Sequence, residues 1–202
     1  MDNFENNIDN LWKSFLDGDD KSFSVLYNQQ SKKLLEYGYK LCHDHELVHD
    51  SLQEVFIDLF LKRDKKTLTV ENLKSYLFIC FRNSIIKKIA NGRKFEKLSI
   101  RKEKIDVKFN TEYSYQTNLI NEEISKEISQ QLSKAINALP SKQKEIIYLK
   151  FEQGMEYAEI ADIMKISVES VRKLMYRTLL ALRKTLDTKL FHALILIFSK
   201  KS

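Results

Sequence analysis

The stretch from Leu139 to Leu186, LPSKQKEIIYLKFEQGMEYAEIADIMKISVESVRKLMYRTLLALRKTL, carries the chain's single proline and one of its 4 glycines at positions that leave few choices of fold. Pro140 suits a first helical turn, where its missing N–H is no loss. Helix then runs to about Gln153, and Gly154 stops it by taking a left-handed conformation at little cost. A short helix follows over Tyr157 to Met164, Lys165 and Ile166 make a tight turn, and Ser167 caps the next helix. Short helix, tight turn and long helix together form a helix-turn-helix.

The last helix sorts its residues by face. Val168, Val171, Met175, Leu179, Leu182 and Leu186 step by 3 or 4 and form one apolar stripe toward a core. Glu169, Arg172, Lys173 and Tyr176 take the same steps on another face, with Ser170 and Arg177 beside them. Side chains in the first turns of such a helix can reach base edges in the major groove, Arg and Lys favouring guanine and Glu accepting from cytosine. A salt-bridged solvent face on an ordinary helical hairpin has the same pattern.

The rest of the chain is also helical in character. Only 4 Gly and 1 Pro occur in 202 residues, too few for the turns and close backbone approaches of β-sandwiches or dinucleotide folds. Two Cys cannot build a disulfide framework. The acidic opening, Met1 to Asp20, is unlike a cleavable signal, so an intracellular, soluble protein is expected. The longest apolar run, Leu190 to Phe198, is broken only by His192. As a helix it reaches about 13 Å against roughly 30 Å of bilayer hydrocarbon, too short for direct membrane insertion. It is read as a terminal helix covering its own domain, or as a docking segment for a partner.

Composition divides the chain into a helical, aromatic-rich domain over 8–90, a polar, lysine-rich linker over 91–121, a second helical domain over 122–190 and an apolar tail over 191–202. The expected fold is all-α, two small helical domains on a flexible basic linker. Between Arg82 and Lys104 nine basic residues face two acidic ones, a local surplus of +7 against +6 for the whole chain. Tyr76, Phe78, Phe81 and Phe95 lie among or beside these cations. Cations with aromatics suit unpaired nucleic acid, which needs phosphate contacts and a π-face for stacking.

In the first domain Val48, Leu52, Val55, Phe56 and Leu59 form a buried stripe, while Asp50, Gln53 and Glu54 share the opposite face. Two carboxylates and an amide suit an arginine-bearing partner, because carboxylates accept bidentate pairs. Cys42, His43, His45 and His49 cluster in the sequence at a spacing that could bind zinc. Adjacent Cys42 and His43 point different ways on a helix, so no metal site is assigned. No phosphate-binding glycine loop and no nucleophile with a matching base is found, so neither catalysis, a cofactor nor a small-molecule substrate is expected.

Leu139-Pro140, Gln143-Lys144-Glu145, Gly154, Glu159-Ile160-Ala161, Ile166-Ser167, Ser170-Val171 and Leu182-Arg183 resemble the fourth conserved region of sigma-70 family transcription initiation factors, especially the extracytoplasmic-function group. Glu156 departs from the Ser or Thr cap common there, and Lys165 from a glycine. DSLQEVFIDLF resembles the family's polymerase-binding helix, with Asp50, Gln53, Glu54, Val55 and Phe56 matching. ENLKSYLFICFRN is similar to the segment that opens and reads the −10 promoter element, although Cys80 and Phe81 stand where small residues are common.

The resemblance implies a sigma region 2-like domain, a region 4-like domain and a cytoplasmic protein acting with core RNA polymerase (its β′ and β subunits) on promoter DNA. It implies that Asp50, Gln53, Glu54 and Phe56 hold the polymerase. Tyr76, Arg82, Asn83, Lys87 and Arg93 would act on the −10 element. Glu169, Ser170, Arg172, Lys173, Tyr176 and Arg177 would read the −35 element. The loop around Lys62 to Thr69 would hold a flipped-out base, and the linker would thread toward the polymerase cleft. Members of the family are usually held by an anti-sigma factor. The competing reading is a stand-alone helix-turn-helix regulator whose N-terminal half senses a ligand or dimerises.

Overall fold

The computed structural model describes residues 2–63, 72–96, 109 and 122–201, and all its regular elements among these are helices. The chain forms two compact units, Met1–Val107 and Lys108–Ser202.

The first unit is built from α1 (Asp2–Leu16), α2 (Asp20–Leu41), α3 (His45–Leu61) and α4 (Leu73–Glu96). Short polar caps set the boundaries. Asp19 accepts from the Lys21 N–H at 3.0 Å and the Ser22 hydroxyl at 2.6 Å. Asp44 accepts from Leu47 N–H and Asn72 from Ser75 N–H, each at 3.0 Å, which supplies orphan donors of the first turn. Trp12, Phe15, Leu26, Leu34, Tyr37, Leu52, Phe78, Phe81 and Ile85 fill the core between the four helices. The α4 helix continues through Asn91 and Gly92 to Glu96, into the segment read as linker.

Gly38 explains a departure noted in the sequence. A Cβ there would lie 2.7 Å from Val48 Cγ1 and 2.8 Å from Phe81 Cζ. The bulk of Phe81 is accommodated because α2 has no side chain where the ring arrives. Gly38→Ala therefore sets two effects against each other. Helix propensity favours alanine by about 0.5–1 kcal/mol, while overpacking of a dense core costs about 1–3 kcal/mol. The expected result is a lower thermal midpoint, because both Val48 and Phe81 must shift to admit the methyl group.

The second unit contains α5 (Glu122–Asn137), α6 (Ser141–Ile147), a π-helical turn (Tyr148–Glu152), α7 (Tyr157–Met164), α8 (Val168–Thr185) and α9 (Thr188–Lys201). Pro140 stands at the N-cap of α6, one position before the expected first turn. The π turn is a feature that periodicity did not foretell. Within it, buried Tyr148 accepts at its hydroxyl from Gln153 Nε2 at 2.9 Å. Gly154 has φ of +66°, as its stop role requires.

Phe109 corrects the expectation that residues 91–121 have nothing to bury. It is 1% exposed, its N–H donates to the Ser141 hydroxyl, and its ring lies 5.7 Å from that of Tyr148. The apolar tail is helical in α9 and packs on α5, the π turn and α8, with Leu194 fully buried and Leu196 exposed. No described helix is long and apolar enough to cross a membrane.

Candidate nucleic-acid interface

The helix-turn-helix closes through its backbone. Lys165 adopts φ of 53°, and Ile166 N–H donates to Ala161 carbonyl at 3.0 Å, so the turn is made without the glycine that would ease it. Glu156, the unusual cap of α7, is held by Lys150 Nζ at 3.0 Å, while Glu159 accepts from the Glu156 N–H at 2.5 Å. Glu159 thereby satisfies the backbone N–H of the cap residue, as the third helical residue of a capping box does.

Along α8, Val171, Met175, Leu182 and Leu186 are buried as the stripe predicts. Two members differ. Val168 is exposed at the first helical position, and Leu179 is only half-buried. Thr178 takes the intervening buried place, and its hydroxyl donates to the Leu174 carbonyl at 2.7 Å. A threonine satisfied by its own helix escapes a search for apolar steps.

The opposite face is solvent-exposed at Glu169, Arg172, Lys173, Tyr176 and Arg177, with Tyr176 68% exposed. Arg172, Lys173, Tyr176 and Arg177 line one shallow depression. Glu169 pairs with Lys173 at 2.6 Å, and Arg177 Nε donates to the Lys173 carbonyl at 3.3 Å. Exposed i,i+4 pairs of this kind are weak, so phosphate or base edges can displace them. Ser170 is also exposed, but its N–H and hydroxyl bond to Ser167 Oγ in the cap.

On α3, Asp50, Gln53 and Glu54 all face solvent. Glu54 is tied to α4, accepting from Ser84 Oγ at 2.8 Å and facing Lys88 Nζ at 3.3 Å. The Ser84 hydroxyl and the Lys88 ammonium hold its carboxyl below the usual range. Phe56 is buried, with its ring 4.8 Å from Tyr27 and 6.1 Å from Phe23, so it anchors α3 rather than reaching outward. Ile57 and Leu61, one and two turns beyond Gln53, are 59% and 61% exposed. Sequence reading passed over them. Their signal is an apolar i, i+4 step continuing from a polar face, legible only once the buried stripe is fixed.

Helical spacing places Tyr76, Asn83 and Lys87 on one face of α4, while Arg82 lies about 100° away. Tyr76, Arg82 and Asn83 are half-buried and Lys87 is exposed. Arg93 belongs to the last turns of α4, and its side chain lies outside the described residues, as do residues 64–69 of the loop expected to hold a flipped base. His45 and His49 both lie against Tyr39, whose hydroxyl is 2.7 Å from His49 Nε2.

Residues 129–182 match the family model for sigma-70, region 4. No curated protein matches the chain by sequence. Among solved structures, the sigma factor RpoE in complex with the anti-sigma factor NepR from Bartonella quintana has a TM-score of 0.53 at 21% identity, covering 82% of this chain and 96% of that one. CnrH in complex with the cytosolic domain of CnrY has a TM-score of 0.51 at 15% identity, covering 87% of this chain and 94% of that one. Residues 129–182 thus carry the sigma-70, region 4 pattern, and the fold is similar to those of RpoE and CnrH.

Proposed function

We propose that this chain binds core RNA polymerase in the cytoplasm, directs it to a promoter and helps open the DNA. The −35 reader is the exposed face of α8, with Arg172, Lys173, Tyr176 and Arg177 as its reading surface. Glu169 tunes it through Lys173, and Ser170 shapes the helix start. The −10 element is handled by α4, with Tyr76, Asn83 and Lys87 on the working face, Arg82 on its flank and Arg93 further along. Polymerase docks on α3 at Asp50 and Gln53, extended by Ile57 and Leu61, while Glu54 and Phe56 fix the helix from behind. The two working domains are 8–90 and 122–190. RNA synthesis is the polymerase's chemistry, so this chain contributes no catalytic group. An anti-sigma factor is the expected inhibitory partner, as NepR is found with RpoE.

The observation that carries the reading is the capped helix-turn-helix whose outward face holds Arg172, Lys173, Tyr176 and Arg177 in one depression. Each basic surface is small, so specific binding needs polymerase to fix the separation of the two modules and raise their effective concentration. Gel shifts on duplex promoter should show weak binding by the chain alone and sequence-specific binding once core polymerase is added. Nanomolar, sequence-specific binding by the chain alone would favour the stand-alone regulator.

A further inference from the structure

Where α3 ends, polar groups from two helices converge on one ring. Lys62, the C-cap of α3, donates from Nζ to the Tyr76 hydroxyl at 3.0 Å and lies 5.8 Å from the ring centroid. Asp58, one turn earlier, steadies that ammonium at 3.8 Å. Cys80 follows one turn beyond Tyr76 on α4 and is half-buried. Lys62 and Tyr76 are both half-buried. Burial pushes the Tyr76 hydroxyl up, and the bond to Tyr76 raises Lys62, so a charged donor meets a neutral phenol across the neutral range. A charge-assisted bond in a partly buried seam is stronger than one in open solvent.

The ring is therefore held at its hydroxyl before any partner arrives. A side chain already fixed in its bound rotamer avoids the ordering cost that a free one meets on binding. We propose that Lys62 is a positioning residue for Tyr76, fixing the ring at the α3–α4 seam so that it stacks on an unpaired promoter base. This rests on the reading of α4 as the strand-opening helix. Asp58 acts one step further back, by orienting Lys62. The pair spans 14 residues and lies at the junction of helix and loop, where no periodic pattern links the two positions.

The test uses the reconstituted holoenzyme and a duplex promoter selected by the wild-type protein from a randomised pool. Opening is followed by permanganate reactivity of unpaired thymines. Tyr76→Phe and Lys62→Met should each slow opening about tenfold, the loss of one charge-assisted hydrogen bond. The double variant should be no slower than the slower single, because both remove the same contact. Lys62→Arg retains a donor and should restore near-wild-type opening, and any fall in thermal midpoint in the other variants should be small enough to leave the chain fully folded at the assay temperature. If the two effects multiply, Lys62 acts on DNA by itself and the proposal is overturned. It also fails if both variants are silent while Tyr76→Ala is slow. A silent Tyr76→Ala would instead remove the underlying assignment of α4.

Discussion

Asp50→Arg combined with Gln53→Ala should abolish capture by core RNA polymerase, lowering affinity roughly 100-fold or more while both units stay folded. Both positions are exposed on α3, opposite the buried stripe of Val48, Leu52, Val55 and Phe56. The pair of changes removes one acceptor and reverses one charge, so a basic docking surface meets like charge. Glu54 is the poorer choice for this experiment despite matching the family pattern. Its carboxylate already serves Ser84 and Lys88, so reversing its charge sets repulsion into the α3–α4 seam and mixes docking with folding. Cosedimentation with core polymerase, together with thermal unfolding of the free variant, separates the two effects. Unchanged cosedimentation would mean that polymerase docks elsewhere.

The second large effect belongs to α8. Arg172→Ala should cost about 1–3 kcal/mol on the preferred promoter and relax the preference at one upstream position, as loss of a base-reading arginine does. Lys173→Ala should instead weaken all sequences alike and flatten the salt dependence, the mark of a phosphate contact. Lys173 already pairs with Glu169 at 2.6 Å, so part of its charge is spent inside the helix when no DNA is bound. Glu169→Ala should then raise overall affinity slightly by freeing that ammonium. Binding of holoenzyme to promoters randomised in the upstream element, at several salt concentrations, distinguishes these outcomes. A loss of polymerase capture by either α8 variant, as severe as for Asp50 and Gln53, would return α8 to an ordinary solvated face.

What could be read from the sequence was what local chemistry decides. Gly154 as a stop and Ser167 as a cap follow from the φ that the first position needs and the donor that the second satisfies. The outward face of α8 follows from the spacing of its buried residues. What escaped depends on contacts between helices. Gly38 looks like a weak point in α2 until the Phe81 ring is seen to occupy the space of its missing Cβ. Glu54 looks like a free acceptor until Ser84 and Lys88, thirty or more residues later, are placed beside it. Phe109 sits in a polar, lysine-rich stretch of sequence that shows no apolar stripe, yet its own side chain is buried against Tyr148. A single anchor has no period and leaves no pattern to detect.

The central claim is that promoter recognition belongs to the complex, with polymerase docked on α3 and the upstream element read by α8. Mapping transcript starts from a randomised promoter pool, using core RNA polymerase with and without this chain, tests it most directly. The account predicts defined starts only when the chain is present. It predicts that these starts are lost with the Asp50 and Gln53 variant, and that they persist with Arg172→Ala but with a relaxed upstream sequence. Starts that do not depend on the chain, or that survive the α3 variant unchanged, would contradict it.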